Sequence, residues 1–145
     1  MKAVLVFMFA LFCFTSIQCS FIPSWQDCED HTGLFPGWNT TNLTLDKRPV
    51  PGQSSTAAIC VENLDTIEWD TTEVLTYAPG YIDVYFLDKT SLKKGESHCW
   101  NVTFPIPEKA PQDLTVKLLF QNKLLSFGCA QLNLTFASHE KFLGF

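Results

Sequence analysis

Between Leu92 and Phe136 apolar and polar residues alternate in successive runs, the period-two pattern of strands with one face in a core and one in water. In Cys99-Trp-Asn-Val-Thr-Phe the inward set contains Trp100 and Phe104. After a proline-punctuated turn, Leu114-Thr-Val-Lys-Leu-Leu-Phe places Leu114, Val116, Leu118 and Phe120 on one side. A last strand after Cys129 does the same with Leu132, Leu134 and Phe136. Upstream, Thr41-Asn-Leu-Thr-Leu sets Leu43 and Leu45 inward, and Arg48-Pro-Val-Pro-Gly-Gln ends that strand, because proline has no amide for a ladder. A strand is expected over Thr56–Glu62. From Leu64 to Tyr77 neither period dominates, which predicts a loop and one weak strand. Ala78-Pro-Gly is a turn, Tyr81–Leu87 reads as a strand with Ile82, Val84 and Phe86 inward, and Asp88–Glu96 reads as a charged turn. About seven short strands at this spacing, with no long helix and no repeat, predict an all-β fold, a two-sheet β-sandwich.

Four Asn-x-Ser/Thr sequons change the picture, because a glycan needs a wet face. Asn42, Asn101 and Asn133 fall on the polar parity of their strands. Asn39 falls in the turn before, where crowding disfavours use together with Asn42. Glycans imply secretion, and the start of the chain agrees. Met1-Lys2 precedes an almost wholly apolar Ala3–Phe14 and then small or polar residues, the layout of a signal peptide with cleavage near Cys19. The run is shorter than the ~20 residues of a membrane span, and the C-terminal apolar residues are too few for a lipid-anchor tail. The expected organisation is signal peptide 1–19 and one domain over 20–145.

Of six cysteines, Cys28, Cys60, Cys99 and Cys129 remain after that cleavage. An even number in a secreted domain implies two disulfides, with three pairings open. Cys60 lies on the face opposite Ile59 and Val61, and Cys99 on the face of Asn101. Both therefore sit on polar faces, where they can bridge neighbouring strands of one sheet, leaving Cys28 to tie the start of the domain to Cys129.

Without Lys2, nine basic and 15 acidic residues give a net charge of −6 and no basic patch, which disfavours nucleic acid as a partner. No nucleophile elbow, Cys-x-x-Cys, His-Glu-x-x-His or phosphate loop is present, and His31, His98 and His139 are scattered among polar neighbours. No metal or cofactor is expected, and no catalytic residue. The acids Asp27, Glu29 and Asp30 beside Cys28 are the only pairing of carboxylates that invites a hydrolase reading, and a charged surface loop accounts for them.

The aromatic inward set invites two readings: a packed sandwich core, or sheets splayed to receive an acyl chain or sterol. Here a resemblance adds weight to the second. Leu92-Lys-Lys-Gly, the strand with Trp100-Asn-Val, Pro107-Glu-Lys-Ala-Pro111, Leu114-Thr-Val-Lys and Cys129 resemble the C-terminal half of the ML lipid-recognition family. Its members include the ganglioside activator, a lysosomal sterol carrier, the group 2 mite allergens and phosphatidylglycerol/phosphatidylinositol transfer proteins. Ser24-Trp-Gln-Asp-Cys28, Leu43-Thr-Leu and Pro49-Val-Pro-Gly52 are similar to the N-terminal part of the activator and transfer proteins. The chain departs from the family at Ser91-Leu92, where a cysteine is usual, at Cys60 and Cys99, and throughout Leu64–Leu87. The resemblance implies an immunoglobulin-like sandwich with a lipid cavity between its sheets, a Cys28–Cys129 bridge and no catalysis.

The expectation is thus a secreted or endosomal-lysosomal glycoprotein that binds or transfers a phospholipid, glycolipid or sterol and touches membranes transiently. Phe86, Trp100, Phe104, Val116, Leu118, Phe120, Leu134 and Phe136 would line its pocket, with Trp69 and Tyr77 at the mouth. The alternative is a solid sandwich that binds a receptor or other protein through its loops.

Overall fold

The computed structural model describes residues 20–28, 35 and 37–136. The expected signal peptide, Glu29, Asp30, His31 and His139 lie outside the described residues. Eight strands follow one another: β1 (Ser24–Asp27), β2 (Trp38–Leu45), β3 (Ser54–Asn63), β4 (Trp69–Ala78), β5 (Tyr81–Leu92), β6 (Ser97–Pro105), β7 (Asp113–Gln121) and β8 (Ser126–Thr135). They form a five-stranded sheet in the order β1-β8-β7-β4-β5 and a three-stranded sheet in the order β2-β3-β6, with antiparallel pairing throughout. No helix occurs among the described residues. The chain is an all-β two-sheet sandwich, as the alternation predicts.

Between the sheets lie Leu43, Leu45, Ile59, Trp100, Phe104, Leu114, Val116, Leu118, Phe120, Leu132 and Leu134, all buried. Every one obeys the period-two reading. Trp38, unremarked in the sequence, is the residue around which the core is built. Its ring lies 5.4 Å from that of Trp69 and 4.9 Å from that of Phe120, and Phe120 in turn meets Trp100 at 5.1 Å. Such offset and tilted ring pairs contribute beyond their buried area, and they fill the middle of the interlayer.

Three segments depart from the expectations. Ser24–Asp27, read as part of an irregular lead-in, is an edge strand paired with Asn133–Ala130 of β8. The ambiguous middle is a ten-residue strand, β4, near the centre of the larger sheet. Its periodicity fails in the sequence because the ladder is irregular between Thr71 and Glu73. Trp69 and Thr71 face the core before that point, Val74 and Thr76 after it. No single parity spans the strand.

The third departure follows from the second. Beyond the irregularity Val74 lies opposite Tyr85 and Leu75 opposite Val84, and residues directly opposite share a face. Buried Val74 therefore takes Tyr85 inward. Ile82, Val84 and Phe86, expected inside, are turned to the outer face and stand 67%, 40% and 76% exposed. The expected charged turn also shrinks, since β5 runs on to Leu92 and only Lys93–Glu96 turn.

Both disulfides have the pairing anticipated from parity, Cys28–Cys129 and Cys60–Cys99. Cys60 and Cys99 are direct cross-strand partners of β3 and β6. Two intramolecular bridges fit an oxidising compartment, extracellular or lumenal.

Candidate functional site

Seven of the eight expected pocket residues, Trp100, Phe104, Val116, Leu118, Phe120, Leu134 and Phe136, belong to one buried cluster in which they pack on one another. Phe86 is outside it. Phe86 and Trp100 meet only at a lateral opening of about 390 Å³ between the β5 and β6 edges, shared with His98 and Asn101. Asp88 and Thr90 also line it, and Trp100 Nε1 donates to Thr90 Oγ1 at 3.4 Å. Farther along the same seam the Tyr81 hydroxyl donates to the Pro105 carbonyl, joining the two sheets. Burial first, and the Asp83 carboxylate second, push the Tyr81 phenol above its ordinary pKa, which keeps it a donor.

The apolar cleft lies instead at one end of the sandwich. It has a volume of about 550 Å³ and is lined by Phe35, Asp65, Ile67, Trp69, Leu119, Leu124, Leu125, Ser126 and Phe127. Trp69 and Phe127, whose rings are 6.3 Å apart, form its floor. Trp69, expected at a pocket mouth, is buried at the bottom of this cleft. Tyr77, also expected at the mouth, is not part of it, because it pairs with Ile82 and Lys117 on the outer face, toward the other end of β4.

Two pinned loops make the rim. In the β7–β8 turn, Asn122 Oδ1 accepts from the amides of Leu124 and Leu125, both at 2.8 Å, and its Nδ2 donates to Asp70 O at 3.1 Å. This Asx arrangement holds Leu124 90% and Leu125 57% exposed. In the β3–β4 loop, buried Asn63 donates to Ile67 O and Leu92 O and accepts from Asp65 N at 2.8 Å. Ile67 is left 59% exposed. Three large apolar side chains therefore stand in water beside an apolar recess, on loops that their own hydrogen bonds fix. Leu124 and Leu125 are absent from the site expected from the sequence, and their signal is two consecutive leucines after Asn122-Lys123, in the short link between two strands.

Asp27 accepts from the Thr40 amide at 3.3 Å, which ties β1 to β2. His98 is exposed with its ring edge-on to Trp100 at 5.0 Å. No three His, Cys, Asp or Glu side chains cluster as metal ligands among the described residues.

Asn42 and Asn101 are exposed on the outer face of the three-stranded sheet. Asn39 lies in β2 rather than in a turn, and the irregularity between Thr40 and Asn42 brings it to the same outer face as Asn42. Asn133, half-buried, accepts from Thr115 and Gln131 on the outer face of the larger sheet.

No family model and no curated protein matches this chain. Among solved structures it is similar to the sporulation control protein Spo0M from Bacillus subtilis, at 13% identity and a TM-score of 0.50. The similarity covers 74% of this chain but only 54% of Spo0M, so the chain spans about half the length of that protein. At that identity the likeness concerns the fold alone.

Proposed function

We propose that this protein is a secreted or endosomal-lysosomal, non-enzymatic glycoprotein of the ML lipid-recognition type, which binds and transfers a phospholipid, glycolipid or sterol. The observation that carries the reading is the apolar cleft floored by Trp69 and Phe127. Its volume falls within the roughly 300–1,000 Å³ of small-molecule sites. Each methylene buried there contributes about 0.8 kcal/mol, so part of one acyl chain suffices for firm binding. The seat of the ligand is this end of the sandwich rather than the aromatic stack at its centre. The exposed Leu124, Leu125 and Ile67 suit a transient contact with a bilayer while the lipid passes.

A second reading has its own support. The rings of Trp38, Trp69, Phe120 and Trp100 fill the interlayer, as a solid sandwich that binds a receptor or other protein would require. Native mass spectrometry of protein purified from eukaryotic cells, followed by incubation with liposomes, separates the two. A co-purified or acquired lipid, lost on Ile67→Asp, is the expected result. Absence of lipid in both experiments overturns the proposal in favour of the interaction module.

A further inference from the structure

The β5 strand carries apolar side chains on both faces. Tyr85 and Leu87 are partly buried against the core, while Ile82, Val84 and Phe86 project into water from the opposite face. Strands with both faces apolar belong between two layers, yet on this side no second layer exists among the described residues. The patch continues across the sheet in register. Val84 lies beside Leu75, and Leu75 beside Leu119, forming an apolar central row. On one side of it runs the row Ile82–Tyr77–Lys117, on the other the row Phe86–Glu73–Gln121. Contiguous exposed apolar surface of this kind marks an interaction site.

The ends of the patch differ in sign. Lys117 is exposed and makes no ion pair among the described residues. At the other end, Glu73 carries a negative charge held by Gln121 Nε2 at 2.8 Å. A two-fold axis in the plane of the face, perpendicular to the strands, lays the row with Lys117 over the row with Glu73 and Gln121 of a second copy. Val84, Leu75 and Leu119 then meet their own equivalents. An isologous interface needs this self-complementarity, apolar against itself at the centre and opposite charges exchanged at the ends. The exposed sequon residues Asn42 and Asn101 lie on the other sheet. Asn133 shares this outer face on β8, two residues beyond the Gln131 that pairs with Lys117, so a glycan there borders the interface without covering its central row.

We propose that the outer face of β5, β4 and β7 is a homodimer interface, with Val84, Leu75 and Leu119 at its centre and Lys117 facing the Glu73–Gln121 pair of the second copy. Leu119 also lines the apolar cleft, but the proposal does not rest on lipid binding. Sedimentation velocity on the glycosylated protein across the micromolar range tests it. A reversible dimer is expected. Val84→Lys should raise its dissociation constant by about tenfold or more, as truncation or charging of a central contact does. Lys117→Glu and Glu73→Lys should each weaken the dimer, and the double exchange should restore it. Circular dichroism should show all of these surface variants folded, and Phe86→Ser provides an uncharged fifth variant with the same expected loss. A monomer at every concentration, a dimer indifferent to Val84→Lys, or no rescue by the double exchange would overturn the proposal.

Discussion

Phe86 and Phe120 looked alike in the sequence, each an aromatic residue at an apolar position of an alternating strand, and the fold gives them opposite fates. Phe120 is fully buried against Trp38 and Trp100, whereas Phe86 is in water. Phe120→Ala should therefore cost about 3–5 kcal/mol, the range for emptying a packed aromatic site, and Phe86→Ala should fall within about 0.5 kcal/mol of wild type. Urea denaturation of the two variants, done where the protein is monomeric, checks this. Gly128 poses the reverse problem. A Cβ there would stand 1.9 Å from the Trp38 ring, and its neighbours are strand backbone, so the indole must move. Gly128→Ala should lower stability by about 1–3 kcal/mol, as overpacking does, with a matching fall in Tm. Nothing in the local sequence marks this glycine, since the ring it meets comes from a distant strand. Thr76 is buried, and its Oγ1 has no partner among the described residues. Thr76→Val keeps the shape and removes the unpaired hydroxyl, so thermal unfolding should show a gain of about 1 kcal/mol.

At the scale of elements, alternation located five strands well, placed β4 only as one weak strand, turned β5 the wrong way round and missed β1. The failures at β4 and β5 share a cause. A period of two is a readable signal only while the ladder is regular, and the irregularity between Thr71 and Glu73 shifts the parity inside β4. β1 is four residues long, too short for a pattern, and exists because β8 offers it an edge. The disulfide parity argument survived because Cys60 and Cys99 lie in regular stretches. The two bridges should behave differently. Cys60–Cys99 joins strands that already pair over nine positions, while Cys28–Cys129 secures the short β1. Cys28→Ser should speed hydrogen exchange at Trp25 and Gln26 and leave β3 and β6 protected; faster exchange across β3 instead would refute that division. The Tyr81–Pro105 bond closes the seam between β5 and β6. Because the phenol is held above its ordinary value of about 10, the folded state binds that proton more tightly than the unfolded chain. The stabilisation is complete below that value and is lost as pH rises through the higher folded value. Tyr81→Phe should remove this alkaline loss, which pH-dependent denaturation curves of the two proteins would reveal.

For the molecule as a whole, the chemistry of its surface was less legible than its core. The candidate cleft is assembled from Phe35, the β3–β4 loop, the β7–β8 turn and Trp69, segments far apart in the chain, and only Trp69 had been singled out. If lipid passes there, replacing both Leu124 and Leu125 by Asp should abolish co-flotation with liposomes while leaving the Tm nearly unchanged, because both side chains are solvent-exposed. By itself the sequence determined that the chain is an all-β sandwich with two bridges between known partners, because alternation and cysteine parity are local properties of regular strands. Only the tertiary structure decided which apolar residues face inward on β4 and β5, that the aromatic set closes on itself around Trp38, and that the recess lies at one end. Those outcomes depend on where one strand's ladder slips against another's and on which loops meet in space, and neither is written within a single run of residues.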